Sequence, residues 1–202
     1  MSDRTVHMNS HYFTDNDSLK RESKKIFYEY GGVNFTFTTG SGIFSKDRVD
    51  RATGVLLDNI PPLSGSLLDM GCGYGCTGIV LSKIYDLRLT QADIKKAAVG
   101  LAMENCAANG VRSDVLISDC FDNVDGSFDT IVINPPIHAG KAVTYRMYEG
   151  AFAHLVVNGK LYVVTLKKHG AESTRDKLND VFGNCDTIYK KKGIYVFRCA
   201  KR

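Results

Sequence analysis

From residue 66 onward, short apolar runs that each close on a polar residue alternate with stretches whose apolar positions recur at helical spacing. Ser66-Leu67-Leu68 runs into Asp69, Leu87-Arg88-Leu89-Thr90-Gln91-Ala92 into Asp93, Val115-Leu116-Ile117-Ser118 into Asp119, and Phe128-Asp129-Thr130-Ile131-Val132-Ile133 into Asn134. Between them, residues 78–85 and 95–109 have helical periodicity. Strand, helix, strand, helix predicts an α/β fold built on a parallel sheet, whose strand ends line up along one edge. Asp69, Asp93, Asp119 and Asn134 then converge on the carboxyl edge, where open α/β folds bind ligands. Any one of them is accounted for as a turn residue that ends a strand, but the four together mark a site.

The flanking segments complete the outline. Residues 25–39, broken at Gly31-Gly32, read as a β-hairpin ahead of the core, and residues 47–59 read as a helix through Val49, Ala52, Val55 and Leu56 that caps one end of the sheet. Near the C-terminus, Cys185-Asp186-Thr187-Ile188-Tyr189-Lys190 and Ile194-Tyr195-Val196-Phe197-Arg198 are β-rich runs joined at Lys191-Lys192-Gly193, a second hairpin. We divide the chain into an N-terminal extension, residues 1–45, whose hairpin packs on the core, and a core domain, residues 46–202. At 202 residues and 44% hydrophobic content the chain is long enough to form one sizeable domain that buries roughly 70% of its unfolded surface.

The chemistry is concentrated at the strand ends. In Asn134-Pro135-Pro136-Ile137 two prolines fix backbone torsions and remove two N–H donors, so the Asn134 side chain and the Pro135 carbonyl can face one small donor group, for which we take an exocyclic amine on a nucleobase. After Asp69 comes the turn Met70-Gly71-Cys72-Gly73-Tyr74-Gly75-Cys76-Thr77-Gly78, leading into a helix that begins near Cys76. A dinucleotide fingerprint starting at Gly71 needs glycine where Cys76 stands. Asp69 repels a pyrophosphate and attracts a ligand that carries an ammonium and a sulfonium. Asp93, about twenty residues beyond the loop, suits the two hydroxyls of a ribose, of a nicotinamide cofactor equally well, and Asp119 suits the amino group of an adenine. Amine, ribose and adenine in that order describe S-adenosylmethionine.

With these motifs, with His11-Tyr12-Phe13, with the segment Phe35-Thr36-Phe37-Thr38-Thr39-Gly40-Ser41-Gly42-Ile43-Phe44-Ser45, and with His138-Ala139-Gly140-Lys141 following Asn-Pro-Pro-Ile, the chain resembles the class I S-adenosylmethionine-dependent methyltransferases. Within them it resembles the methyltransferase small domain typified by bacterial 16S ribosomal RNA guanine-N2 methyltransferases. The resemblance implies a Rossmann-like, seven-stranded, mostly parallel sheet with an antiparallel last strand and helices on both faces. It implies a cofactor set of Asp69, Gly71, Cys72, Gly73, Gly75, Asp93, Ile94, Asp119, Cys120 and Asn134, with Asp69 and the glycines under the methionine part, Asp93 on the ribose and Asp119 near the adenine. Asn134, Pro135, Pro136 and Ile137 are the catalytic set. Phe44, His138 and Lys141 are the substrate set, Phe44 standing in a loop that borders cofactor and substrate entrance. Two departures from the family stand out: larger relatives carry a further N-terminal domain, and His138 occupies a position where arginine is expected.

The net charge of +4 adds little by itself, but Lys20-Arg21, Lys24-Lys25, Lys167-Lys168 and Lys190-Lys191-Lys192 are clusters that fit either RNA phosphates or a solvated face. Six cysteines without C-x-x-C spacing read as reduced thiols, and His7, His11, His138, His154 and His169 are too dispersed for a metal site. With no signal-peptide pattern and no apolar run of membrane-spanning length, a cytoplasmic protein is expected. The reading is thus a methyltransferase acting on guanine N2 in ribosomal RNA, free or in the small subunit, with oligomeric state left open. Methylation of adenine N6, protein glutamine or a small molecule is the nearest alternative. A nicotinamide-dependent oxidoreductase and a noncatalytic nucleotide- or RNA-binding module are the more distant ones.

Overall fold

The structure, a computed structural model, describes residues 23–40, 48–136 and 140–202. Two strands come first, β1 (Lys24–Tyr30) and β2 (Val33–Thr39), then helix α1 (Arg51–Asn59). The core continues as β3 (Ser66–Met70), α2 (Cys76–Tyr85), β4 (Arg88–Asp93), α3 (Lys96–Ala108), β5 (Ser113–Ile117) and β6 (Phe128–Ile133). It ends with α4 (Gly140–His154), β7 (Leu155–Leu166), a 3-10 turn (Lys167–His169), α5 (Ala171–Phe182), β8 (Asp186–Lys191) and β9 (Ile194–Ala200).

Seven strands form one sheet in the order β5-β4-β3-β6-β7-β9-β8. Every neighbouring pair from β5 to β7 is parallel, while β9 is antiparallel to both β7 and β8. This is the expected topology, with the last strand inserted between β7 and β8. Side chains alternate between two buried faces, as in a parallel sheet covered on both sides. Leu67, Val132, Tyr162 and Val164 pack beneath α1, α2 and the hairpin, whereas Leu68, Met70, Ile131, Ile133 and Val163 pack beneath α4 and α5. The order reverses between β3 and β6, which opens a crevice at their carboxyl ends.

Helix α1 begins at Arg51, later than its apolar spacing suggests, because the Asp50 carboxylate caps it by accepting from the amides of Ala52 (2.9 Å) and Thr53 (3.2 Å). It does not close an end of the sheet. Ala52, Leu56 and Leu57 instead press it onto the sheet face over β7 and β9.

The β1–β2 hairpin turns at Gly31 and Gly32, both at positive φ (58° and 76°), as a two-residue hairpin turn requires. Asn105 on α3 and Asn109, which caps the C-terminal end of that helix, dock it. Asn105 accepts from Thr38 N (2.7 Å) and donates to Thr38 O (3.0 Å), and Asn109 does the same with Thr36 N (3.0 Å) and O (2.8 Å). Their amides thereby satisfy the free edge of β2 as a neighbouring strand would. No helix among the described residues is long and apolar enough to cross a membrane.

Candidate functional site

The glycine turn after β3 is held from β4. Gly71 N and Cys72 N donate to Ala92 O (2.8 and 3.0 Å), and Gly73 N donates to Asp93 Oδ2 (2.9 Å). Gly71, Gly73 and Gly75 all have positive φ (74°, 58° and 89°), which explains their identity without appeal to a ligand. Gly78, inside α2, is required for space: a Cβ there would sit 2.8 Å from Leu89 Cδ1 and 3.1 Å from Asp69 Cβ. That close approach lets Gly78 N reach Asp69 Oδ2 at 2.8 Å, tying the start of α2 to the end of β3.

Asp69 is only 3% exposed. Burial pushes its carboxyl group up to about 7, against the opposing pull of the Gly78 amide and the Gln91 side chain. Gln91, itself fully buried, donates to Gly75 O (3.1 Å) and accepts from the Cys106 thiol (3.1 Å). Asp93 uses each carboxylate oxygen once, Oδ2 for Gly73 N and Oδ1 for Lys95 N (2.9 Å), which leaves each oxygen a further lone pair. The Asp119 carboxylate lies 3.3 Å from the guanidinium of Arg146 on α4, which also reaches Asp122 (3.5 Å).

These groups wall a cavity of about 690 Å³ that runs from the glycine turn past Asp93 and Ile94 to Ser118, Asp119 and Cys120, and back to Asn134. Of the residues expected to hold a cofactor, Asp69, Gly71, Cys72, Gly73, Asp93, Ile94, Asp119, Cys120 and Asn134 all border it. Gly75 does not. It sits behind the turn, where an added Cβ would meet Gln91 Nε2 at 2.9 Å and Ala102 Cβ at 3.2 Å.

A second cavity, about 360 Å³, lies between α4, the end of β7 and the start of α5, and Lys141, Tyr145, Lys168, His169 and Ser173 contribute to its wall. Asn134, Pro135 and Pro136 line both cavities. The Asn134 amide is oriented from α1: its Nδ2 donates to Thr53 Oγ1 at 3.0 Å, which turns the carbonyl Oδ1 away from Thr53 as an acceptor. Ile137, His138 and Phe44 lie outside the described residues, as do Lys20-Arg21 and His11-Tyr12-Phe13.

Thr53, Arg146 and Asn105 went unrecognised in the sequence. Their partners stand 81, 27 and 67 residues away, beyond the reach of any local spacing rule.

Comparison with known proteins places these features in company. A match to the methyltransferase small domain spans residues 34–198. The uncharacterized protein YbxB of Bacillus subtilis is 37% identical over 200 residues, covering 96% of this chain and 100% of that protein. Ribosomal RNA small subunit methyltransferase C of Vibrio cholerae is 31% identical over 183 residues, covering 88% of this chain and 53% of the relative. The chain thus spans about half the length of the methyltransferase C relatives it matches. Among solved structures, the T. thermophilus 16S rRNA N2 G1207 methyltransferase in complex with AdoMet and guanosine superposes with a TM-score of 0.79 at 25% identity, over 90% of this chain and 51% of that one. A methyltransferase from Pyrococcus furiosus shares the fold, with a TM-score of 0.64 at 20% identity over 73% of this chain and 80% of that one.

Proposed function

The chain belongs to the methyltransferase small domain family, and from that premise we propose that it transfers a methyl group from S-adenosylmethionine to the exocyclic N2 amine of guanine in ribosomal RNA. The observation that carries this reading is the shared wall: Asn134, Pro135 and Pro136 separate the acid-lined cavity from one edged by Lys141, Lys168 and His169. The likeness to an N2-guanine methyltransferase bound to AdoMet and guanosine supports the choice of donor and acceptor.

The residues present fit the donor. An ammonium and a sulfonium find the buried Asp69 beside the glycine turn, ribose hydroxyls find the free lone pairs of Asp93, and an adenine finds Ile94, Asp119 and Cys120, all on a cavity of about 690 Å³. When bound, S-adenosylmethionine supplies an electrophilic methyl group on a positively charged sulfur.

The protein's part is then positioning and electrostatics. Asn134 Oδ1, turned away from Thr53 by the Nδ2–Thr53 bond, and the Pro135 carbonyl accept the two hydrogens of the target amine. An aromatic amine delocalises its lone pair into the ring. Two acceptors on its hydrogens favour the tetrahedral, nucleophilic nitrogen and stabilise the positive charge that develops as it attacks. The proton released afterward passes to water. A base that starts in a helix must leave the stack at a cost of a few kcal/mol, so an unpaired or loosely paired guanine is the favoured target. On this reading the protein works in the cytoplasm, on ribosomal RNA or the small subunit.

Calorimetry separates this from the oxidoreductase alternative: S-adenosylmethionine binds and NAD does not. In Asn134→Ala, cofactor affinity stays near wild type while methyl transfer falls by about two to three powers of ten, the scale of losing a transition-state hydrogen-bond partner. Undiminished turnover in that variant rejects the assignment.

A further inference from the structure

The carboxyl edge of the sheet is divided by sign of charge. Asp119, Asp93 and Asp69 stand at the ends of β5, β4 and β3, and Asn134 follows at β6. Beyond it the edge turns basic. β7 leads into the 3-10 turn of Lys167, Lys168 and His169, and because β9 runs antiparallel between β7 and β8, the β8–β9 turn with Lys190, Lys191 and Lys192 lies on this same edge. The two clusters, far apart in sequence, are joined through the backbone, Lys167 N donating to Gly193 O at 2.8 Å.

All of these lysines are exposed, and none forms an ion pair among the described residues. Lys190 Nζ lies 5.4 Å from the centre of the Tyr195 ring, which holds its charge at the surface without neutralising it. The one carboxylate among the described residues lining the second cavity, Asp50, is engaged by the amides of Ala52 and Thr53.

We propose that this edge, Lys167, Lys168 and His169 together with Lys190, Lys191 and Lys192, is a sequence-independent track for the sugar-phosphate backbone of the RNA strand that delivers its base to Asn134. The proposal rests on the methyltransferase reading and adds to it where the strand runs. Three strand spacings separate β6 from β8, about 14 Å at about 4.8 Å each. At a rise of about 3.4 Å or more per nucleotide, that is a reach of about four nucleotides or fewer. The division of charge suits both occupants: acids attract the cationic donor, and lysines attract the phosphates on the far side of the reacting amine. A track that contacts only backbone leaves the choice of base to the pocket.

The test measures binding of a fluorescein-labelled single-stranded RNA, over a range of about 50 to 200 mM salt, by the wild-type protein and by two variants. These are Lys190→Gln/Lys191→Gln/Lys192→Asn, the asparagine chosen because Lys192 has φ +50°, and Lys167→Gln/Lys168→Gln. A control, Lys83→Gln/Arg112→Gln, removes charge at the opposite edge. The expected result is about tenfold weaker RNA binding or more in the first variant, with the slope of log K against log salt reduced by about 0.7 for each lost contact. S-adenosylmethionine affinity and melting temperature should be unchanged, and the control should match wild type. If both variants bind RNA with wild-type affinity and slope while the wild-type enzyme methylates RNA, the track is refuted and the methyltransferase reading stands. If they lose methylation of assembled small subunits alone, with RNA binding intact, the edge serves a protein of the particle and the proposal is again refuted. A wild-type protein that binds S-adenosylmethionine but neither binds nor methylates RNA overturns the track together with the RNA substrate on which it rests.

Discussion

Thr53→Val isolates the orientation of the Asn134 amide from its presence. Thr53 is 5% exposed, so valine, nearly the same shape, keeps the packing of α1, and the Thr53 backbone amide keeps its bond to Asp50. What disappears is the acceptor 3.0 Å from Asn134 Nδ2. A carboxamide can turn over to exchange its oxygen and nitrogen, and the reversed amide presents a donor to the target amine, which is itself a donor. The bias held by one neutral hydrogen bond is about 0.5–1.5 kcal/mol, or a two- to thirteenfold population ratio. With the bias gone the two orientations approach equal population, so turnover under saturating cofactor should drop by about 1.3- to twofold, well short of the loss in Asn134→Ala, with cofactor affinity little changed. Thr53→Ser, which restores the hydroxyl, should recover most of the rate. Single-turnover transfer of a labelled methyl group reads this directly. Full activity in Thr53→Val, or equal impairment in the serine and valine variants, refutes the orienting role.

Other outcomes follow from the same geometry. Asn105→Ala leaves the buried Tyr74 O without its partner and hands the half-buried Thr38 N and Thr38 O to water, and at about 1–3 kcal/mol for the buried group it should lower stability in a urea titration by about 1–3 kcal/mol; a loss under about 1 kcal/mol contradicts the docking role. Asp93→Ala should weaken S-adenosylmethionine binding by about 1–3 kcal/mol in calorimetry, through lost ribose contacts and a loosened Gly73, and unchanged affinity contradicts that placement. Asp69, whose carboxyl group stands near 7 instead of its ordinary 3.8, is largely protonated in the free protein below that pH, and a cationic ligand must expel the proton. Cofactor affinity should accordingly fall as pH drops below about 7 and level off above it, with proton release seen as a buffer-dependent heat at the acidic end. The same raised value makes Asp69's contribution to stability greatest at low pH, decreasing as pH rises from 3.8 to about 7, because the folded state alone holds the proton in that window. A flat affinity profile contradicts the pairing of Asp69 with a cation.

The core strands were readable because both sheet faces are buried: mostly apolar runs such as Phe128–Ile133 stand out, and the polar residues that end them fall on one edge. The tail hairpin was readable from its β-rich runs and its lysine-glycine turn. Residues 140–182 were not. Helix α4 passes into β7 with no intervening loop, His154 to Leu155, and β7 contains Asn158-Gly159, a pair that ordinarily marks a turn. Asn158 does adopt φ +66°, near a register shift against β6, yet the strand continues through it. The second cavity lies against this stretch, so Tyr145, Tyr148, Ser173 and Thr174 in its lining were not foreseen, whereas Asn134, Pro135, Pro136 and Lys141 were. The same holds for the Thr53–Asn134 and Arg146–Asp119 contacts, which are products of tertiary packing. For Asp69 the sequence conveyed a negative charge facing a ligand; the structure adds that burial makes this charge conditional on pH and ties it to Gly78.

The central claim is that a methyl donor in the acid-lined cavity meets a guanine amine at Asn134. It is tested most directly by incubating the protein with S-adenosylmethionine labelled on its methyl group and with ribosomal RNA or small subunits lacking the modification, then digesting the RNA to nucleosides and identifying the labelled one. The account predicts label in N2-methylguanosine, and its loss in Asn134→Ala. Label in another nucleoside or in protein, or none in any fraction, contradicts it.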